Sequence, residues 1–168
     1  MTVDASPYEL IRQLLYRYAE AVDSRNVNDL VALFVPDVQV GRDRSGRDAL
    51  AEWFSEVLRS FGISAHFVGN HRITLIDDDH ATGAVYCRAE HEVDGRWVVM
   101  LFQYWDVYER IDGEWMFRRR REKIWYSHEA ADNPLADLMD RWPGRDDTAA
   151  TLPKSWPSWN AFWDESAD

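Results

Sequence analysis

Two Asp-Gly pairs, Asp94-Gly95 and Asp112-Gly113, separate three long runs of β-branched and aromatic residues. The runs are "HATGAVYCRAEHEV", "RWVVMLFQYWDVYERI" and "EWMFRRRREKIWYS". Asp-Gly between such runs is a strong signal for a two-residue β-hairpin. A fourth run, "AHFVGNHRITLID", precedes them across the turn-like "DDDH". Together they predict an antiparallel meander of four strands of roughly 10–15 residues, about twice the usual length. Strands that long must twist and curve. A curved sheet has a concave face, and something apolar has to fill it.

The chain ahead of the meander supplies the filling. Ser6-Pro7 is a helix start, with Pro in the first turn. Ile11, Leu14, Leu15, Tyr18 and Val22 then recur on one face of a helix over 6–23. A short helix, "NDLVALF", follows, capped by Asn26 or Asn28 and broken at Pro36, and "VPDVQVG" reads as a short strand. A third helix spans "SGRDALAEWFSEVLRSFG". The expected fold class is α+β: a cone-shaped, mixed or antiparallel curved sheet wrapped around three N-terminal helices. Residues 1–130 form this unit. Residues 131–168 form a tail with a helical turn or two near "NPLADLMDRWPG" and with Trp156, Trp159 and Trp163 at helical spacing. The tail is expected to pack on the sheet or on a neighbouring subunit.

Charge excludes several partners. The net charge of −11 repels phosphate backbones and anionic lipid surfaces, so neither nucleic acid nor a membrane is expected to bind. No run approaches the roughly 18 apolar residues of a spanning helix, and "MTVDASPYEL" lacks the features of a signal peptide. A lone cysteine, Cys87, suits a reducing, cytoplasmic setting. It reads as a small buried hydrophobe rather than a nucleophile. HExxH, CxxC, GxGxxG and P-loop patterns are absent, so no metal and no cofactor is expected. His66 and His71 are expected on opposite faces of their strand.

Two features ask for chemistry. The first helix ends "YRYAEAVDSRN", and a carboxylate at a helix C-terminus costs roughly 0.3–1 kcal/mol. Asp23 either caps the next turn or is held there for a site. Arg118 to Arg121 is the second feature. On a strand the four divide two to a face. An inward arginine needs a carboxylate, for which Glu122, Asp106 and Glu90 are candidates.

The motifs "LLYRYAEAVDSRNVNDLVALFVPDV", "SGRDALAEWF", "SAHFVGNHRITL" and "YERIDGEWMFRRRR", in that order, resemble the SnoaL-like branch of the nuclear-transport-factor-2-like superfamily. Within it the chain is most similar to cofactor-free lyases of the scytalone dehydratase, bile-acid 7α-dehydratase and hexachlorocyclohexane dehydrochlorinase types. The resemblance implies a catalytic Asp23–His66 pair, with Tyr18 and Arg120 as electrophilic helpers. It turns Met116, Arg118, Arg120, Glu122, Ile124 and Tyr126 inward. Strand parity and the resemblance together place Phe61, Cys87, Ala89, Met100, Phe102, Tyr104 and Glu122 around a substrate. Ala89 stands where the bile-acid enzyme has an acid. Cys87 and His91 flank the position of scytalone dehydratase's second histidine, neither in matching register. On a helical wheel Tyr18 lies about 140° from Asp23, so the helix would have to loosen for both to reach one pocket.

The implied function is dehydratase-like lyase or isomerase chemistry on a hydrophobic cyclic small molecule. A homodimer or homotrimer is expected. The rivals are a binding or assembly domain of the same fold, and an epoxide hydrolase built on two carboxylates flanking an arginine.

Overall fold

In the computed structural model, which describes residues 5–136, 138 and 150–164, the two Asp-Gly pairs carry positive φ at both residues: 52° and 75° at Asp94 and Gly95, 51° and 87° at Asp112 and Gly113. These are the primed hairpin turns whose twist matches that of long strands. They join β4 (His80–Val93), β5 (Arg96–Ile111) and β6 (Glu114–Glu129), and β3 (Ser64–Leu75) completes an antiparallel sheet ordered β3-β4-β5-β6. The sheet curves around the helices and stays open at its β3 and β6 edges.

Helix α1 (Pro7–Asp23) starts where Ser6 accepts the Glu9 amide and buries Ile11, Leu14, Leu15, Tyr18 and Val22 in the concavity. It remains regular to its end, where the Ser24 amide donates to Glu20 at 2.8 Å. Arg25 then turns the chain with φ 58°, and Asn26 caps α2 (Val27–Ala32) by accepting from the Asp29 amide. The "VPDVQVG" region makes more than the one strand expected. Gly41, at φ 66°, lets β1 (Gln39–Val40) fold back on β2 (Arg44–Ser45) as a small hairpin. Helix α3 (Arg47–Arg59) follows, and its Arg47 donates to the carbonyls of Ala32 and Phe34. Phe34 and Phe117 are bridged through the Val35 and Phe117 amides, which fasten the helical layer to β6.

Three bulges redraw the faces expected from simple alternation. In β3 the pairing slips between Val68 and His71, so His66 and His71 share the inner face rather than opposing each other. In β6 it slips past Arg118, so Phe117 and Arg120 both point inward. Arg118 instead faces outward to Glu109 at 2.6 Å and Asp37 at 2.7 Å. Ile124 keeps the inward parity opposite Phe102 yet is exposed, and a third slip, past Trp125, turns Tyr126 to the outer face against expectation. An extra residue bends a strand and increases its twist. These bulges curve the long strands around the helices, and their positions are set by packing that alternation cannot reveal.

Helix α4 (Pro157–Asp164) packs on the helical end of the cone. Trp159 lies over Arg25, Phe162 lies over Arg59, and Ser158 donates to the Ser24 carbonyl. The helical turn expected near "NPLADLMDRWPG" falls largely outside the described residues. No helix among the described residues is long and apolar enough to cross a membrane.

Candidate active site

Asp23 is the last residue of α1, and β3 is an edge strand whose outward amides have no neighbouring strand. The carboxylate closes that edge. Asp23 Oδ2 accepts the His66 amide at 2.8 Å. Asp23 Oδ1 accepts the Ser64 hydroxyl at 2.8 Å and the His66 ring Nδ1–H at 2.7 Å. Three donors therefore offset the unfavourable helix-end position. The carboxylate acts as an acceptor only, which fixes His66 as the Nδ1–H tautomer. Both side chains are largely enclosed, at 7% exposure for His66 and 13% for Asp23. No described protein group bonds the remaining nitrogen, Nε2, and the His66 ring forms part of a cavity wall.

That cavity is an inner chamber of ≈ 270 Å³ at the helical end of the cone. Phe61, Met100, Phe102 and Tyr104 line it, with Val22, Trp53, Phe54 and Leu58 from the helices. A second, outer chamber of ≈ 830 Å³ opens beneath the β1–β2 hairpin. The two share Tyr18, Trp53, Phe54, Val57 and Glu122 as walls. Their sizes are those of small-molecule sites. His66, rather than Asp23, reaches the inner chamber, so α1 needs no loosening for Tyr18 and the pair to serve one space.

Tyr18 is packed edge-on against Phe34, Phe54, Tyr104 and Phe117. Burial pushes its hydroxyl up to about 12, although the nearby Arg120 cation opposes this. The hydroxyl therefore stays protonated and can donate. Arg120 lies under the same aromatic group, its Cζ 4.2 Å from the Tyr18 ring, 3.9 Å from Tyr104 and 4.1 Å from Phe117. Asp106 clamps its guanidinium at 2.9 and 2.7 Å. Burial opposes the Arg120 charge, but the Asp106 carboxylate outweighs that and raises its pKa. The Tyr108 hydroxyl donates to Asp106 and contacts His71 Nε2 at 3.2 Å. Of the three carboxylates considered for the inward arginine, Asp106 is the partner. Glu90 instead accepts from Trp97 and Arg88.

Glu122 faces both chambers, whose apolar walls desolvate its carboxyl enough to raise its pKa. Cys87 and Ala89 do not line either chamber. Both are wholly buried in the floor of β4, and burial pushes the Cys87 thiol up to about 12. Their larger cross-strand neighbours Phe102 and Met100 line the inner chamber in their place.

His91, which is not among the site residues expected from the sequence, lines the inner chamber beside His66. The two rings are perpendicular, with centroids 5.3 Å apart. Burial, then the proximity of His66, lowers the His91 pKa to about 4. His91 is two residues beyond Ala89 on the same face of β4, so strand parity alone offered a signal for it. Ser64 was equally available, two residues before His66. Arg25 gave no such signal, because "DSRN" reads as an ordinary turn.

A model of the SnoaL-like domain matches residues 4–121. An uncharacterised protein of Mycobacterium tuberculosis is 33% identical over 120 residues, covering 67% of this chain and 81% of its own. A scytalone dehydratase-like protein of Novosphingobium aromaticivorans superposes with a TM-score of 0.66 at 23% identity, over 75% of this chain and 89% of that one. The hexachlorocyclohexane dehydrochlorinase LinA-type3 of Novosphingobium barchaimii superposes with a TM-score of 0.66 at 19% identity, over 74% and 90%. At those identities the structural likenesses speak to the fold, and the match over most of the cone gives the family: the chain belongs to the SnoaL-like domain family, with its nuclear-transport-factor-2-like α+β architecture.

Proposed function

We propose that this protein is a cofactor-independent lyase or isomerase that removes a proton from a hydrophobic cyclic small molecule. The observation that carries the reading is the Asp23–His66 pair, with Nδ1 held by the carboxylate and the ring in the wall of an apolar chamber. Neutral Nε2 accepts the proton from a substrate carbon. The Asp23 carboxylate stabilises the resulting imidazolium, and such general-base help contributes about 10²–10⁴ in rate. Electron density moves from the C–H bond into a new double bond and on to a leaving group or a carbonyl oxygen. The protonated Tyr18 hydroxyl donates to that oxygen. Arg120, locked by Asp106, supports Tyr18 from below rather than reaching the substrate through its clamped edge. The substrate ring fits the inner chamber, and the rest of the molecule extends into the outer one. The dehydrochlorinase and dehydratase-like proteins that share the fold carry names consistent with elimination chemistry.

Epoxide hydrolysis is less well supported. Asp106 and Glu122 do flank Arg120, but Asp106 is 2% exposed and both its oxygens already accept hydrogen bonds. It is poorly placed to activate a water.

The test is a panel of cyclic β-hydroxy ketones and polychlorinated cyclohexanes. Binding is followed by Trp fluorescence, since Trp53 walls both chambers. Elimination is followed by absorbance of the conjugated enone for the ketones and by chloride release for the chlorinated cyclohexanes. Binding with turnover that is lost in His66→Gln supports the lyase. Tight binding with no turnover anywhere in the panel, in a protein whose chambers are open, would move the assignment to a binding module.

A further inference from the structure

Arg25 is an unusual residue in an unusual place. It adopts φ 58°, a left-handed conformation that a non-glycine residue holds only where its surroundings fix it. A surface turn would carry Gly or Asn there. Arg25 is instead 2% exposed, with its charge inside the protein. Burial lowers its pKa to about 10, and the nearby Asp23 carboxylate partly restores it. Buried guanidinium groups persist only where partners hold them. Here Nη1 donates to the Val22 carbonyl at 2.7 Å and to Ser64 Oγ at 3.1 Å, and Nη2 donates to the carbonyls of Phe61 and Gly62. The flat faces of the group are covered by two rings. Phe61 and Trp159 each have their centroid 4.7 Å from Cζ.

The hydrogen bonds run in one direction toward the candidate base. Arg25 donates to Ser64 Oγ, so the Ser64 hydroxyl proton is free to point at Asp23 Oδ1. That is the same oxygen that receives His66 Nδ1–H. The contacts to Phe61 and Gly62 also fix the turn that leads into β3, and with it the register of Ser64 and His66. Trp159 comes from the C-terminal helix, whose Ser158 is bonded to Ser24, next to Asp23. A guanidinium sealed between two rings has little freedom, and an unsealed one would turn to water.

We propose that Arg25 is a positioning residue for the Asp23–His66 pair, and that Trp159 of the C-terminal helix clamps it, so that the tail governs the geometry of the base from behind the chamber. The inference rests on reading Asp23–His66 as the working pair. Opening the clamp lets the Arg25 charge leave for solvent and frees Ser64 to rotate away from Asp23. Both changes favour the imidazolium: a nearby cation is lost, and a carboxylate with one donor fewer holds its proton-bearing partner more strongly.

The test uses ¹⁵N-labelled full-length protein and follows the His66 ring nitrogens by NMR through a pH titration. No substrate is needed, so the outcome is independent of whether the protein turns anything over. In the unmodified protein His66 is expected as the Nδ1–H tautomer. In Trp159→Ala the titration midpoint is expected to rise by about half a unit or more, with the tautomers mixed. Trp159→Phe, which restores a ring, should recover most of the original behaviour. Arg25→Lys keeps the charge but loses the fork, and Ser64→Ala removes the relay with little change in volume. Both should disturb His66 in the same direction as Trp159→Ala. If Trp159→Ala fails to fold, these two variants decide. An unchanged His66 midpoint and tautomer in folded Ser64→Ala and Arg25→Lys overturns the proposal. A normal network in a protein that eliminates nothing would sink the lyase reading and leave this one standing.

Discussion

Replacing Asp106 by Ala should be among the most damaging changes in the sheet. Asp106 is 2% exposed, and its two oxygens accept Arg120 Nε at 2.9 Å, Arg120 Nη2 at 2.7 Å and the Tyr108 hydroxyl at 2.8 Å. Arg120 Nη1 is buried with no hydrogen-bond partner, and no second carboxylate pairs with the guanidinium among the described residues. Its side chain is only 5% exposed and is packed against three rings, so most of the unpaired charge would stay inside the protein. Removing one partner of a buried pair costs about 3–5 kcal/mol. For a chain of this size each kcal/mol lowers Tm by about 2–4 °C, so the expected drop is about 6–20 °C. Urea denaturation followed by circular dichroism measures the first quantity and a thermal scan the second. The paired variant Asp106→Leu with Arg120→Met should recover most of the loss, because apolar residues can replace such a pair at little cost. A loss below about 1 kcal/mol in Asp106→Ala would refute the claim that the ion pair is sealed.

Other expectations follow from single contacts. A methyl group added at Gly83 would lie 2.8 Å from His71 Nε2 and 2.9 Å from Tyr108 Cε2, so Gly83→Ala should cost about 1–3 kcal/mol in urea denaturation. Cys87 is wholly buried, its thiol pushed up to about 12, and it should react with a thiol reagent at pH 8 only after unfolding. His71 and His91 both have pKa values lowered to about 4 by burial, against 6.5 when exposed. The folded protein thus binds fewer protons than the unfolded chain between those values. Stability should be full above about pH 6.5 and fall as the pH drops toward 4, with a shallower fall in His91→Asn.

The hairpins and the three helices of the cone were legible in the sequence because local chemistry determines them, and the fold family through the resemblance of its motifs. Asp-Gly admits the positive φ of both tight turns, and the apolar stripe of α1 is one face of a helix. Asp23 and His66 could be paired only through the family resemblance, since 43 residues separate them. The inner face of β6 could not be read by alternation, because Arg118 bulges out and exchanges the faces beyond it. His66 and His71 came together for the same reason in β3. Arg25 was invisible for a different reason: its meaning depends on Phe61, Ser64 and Trp159, all distant from it in the chain, which only the folded structure brings to it. The docking of α4 on the helical end, rather than on the sheet, uses contacts of the same long-range kind, with Arg25, Arg59 and Ser24.

The central claim is that Asp23 makes His66 a base. The most direct measurement is kcat for Asp23→Asn against the unmodified protein, on whichever panel compound is eliminated fastest, at matched folded fraction. A loss of about 10²–10⁴ is expected, with ligand binding and the circular dichroism spectrum little changed. Full activity in folded Asp23→Asn would contradict it and leave the carboxylate as nothing more than the closure of the β3 edge.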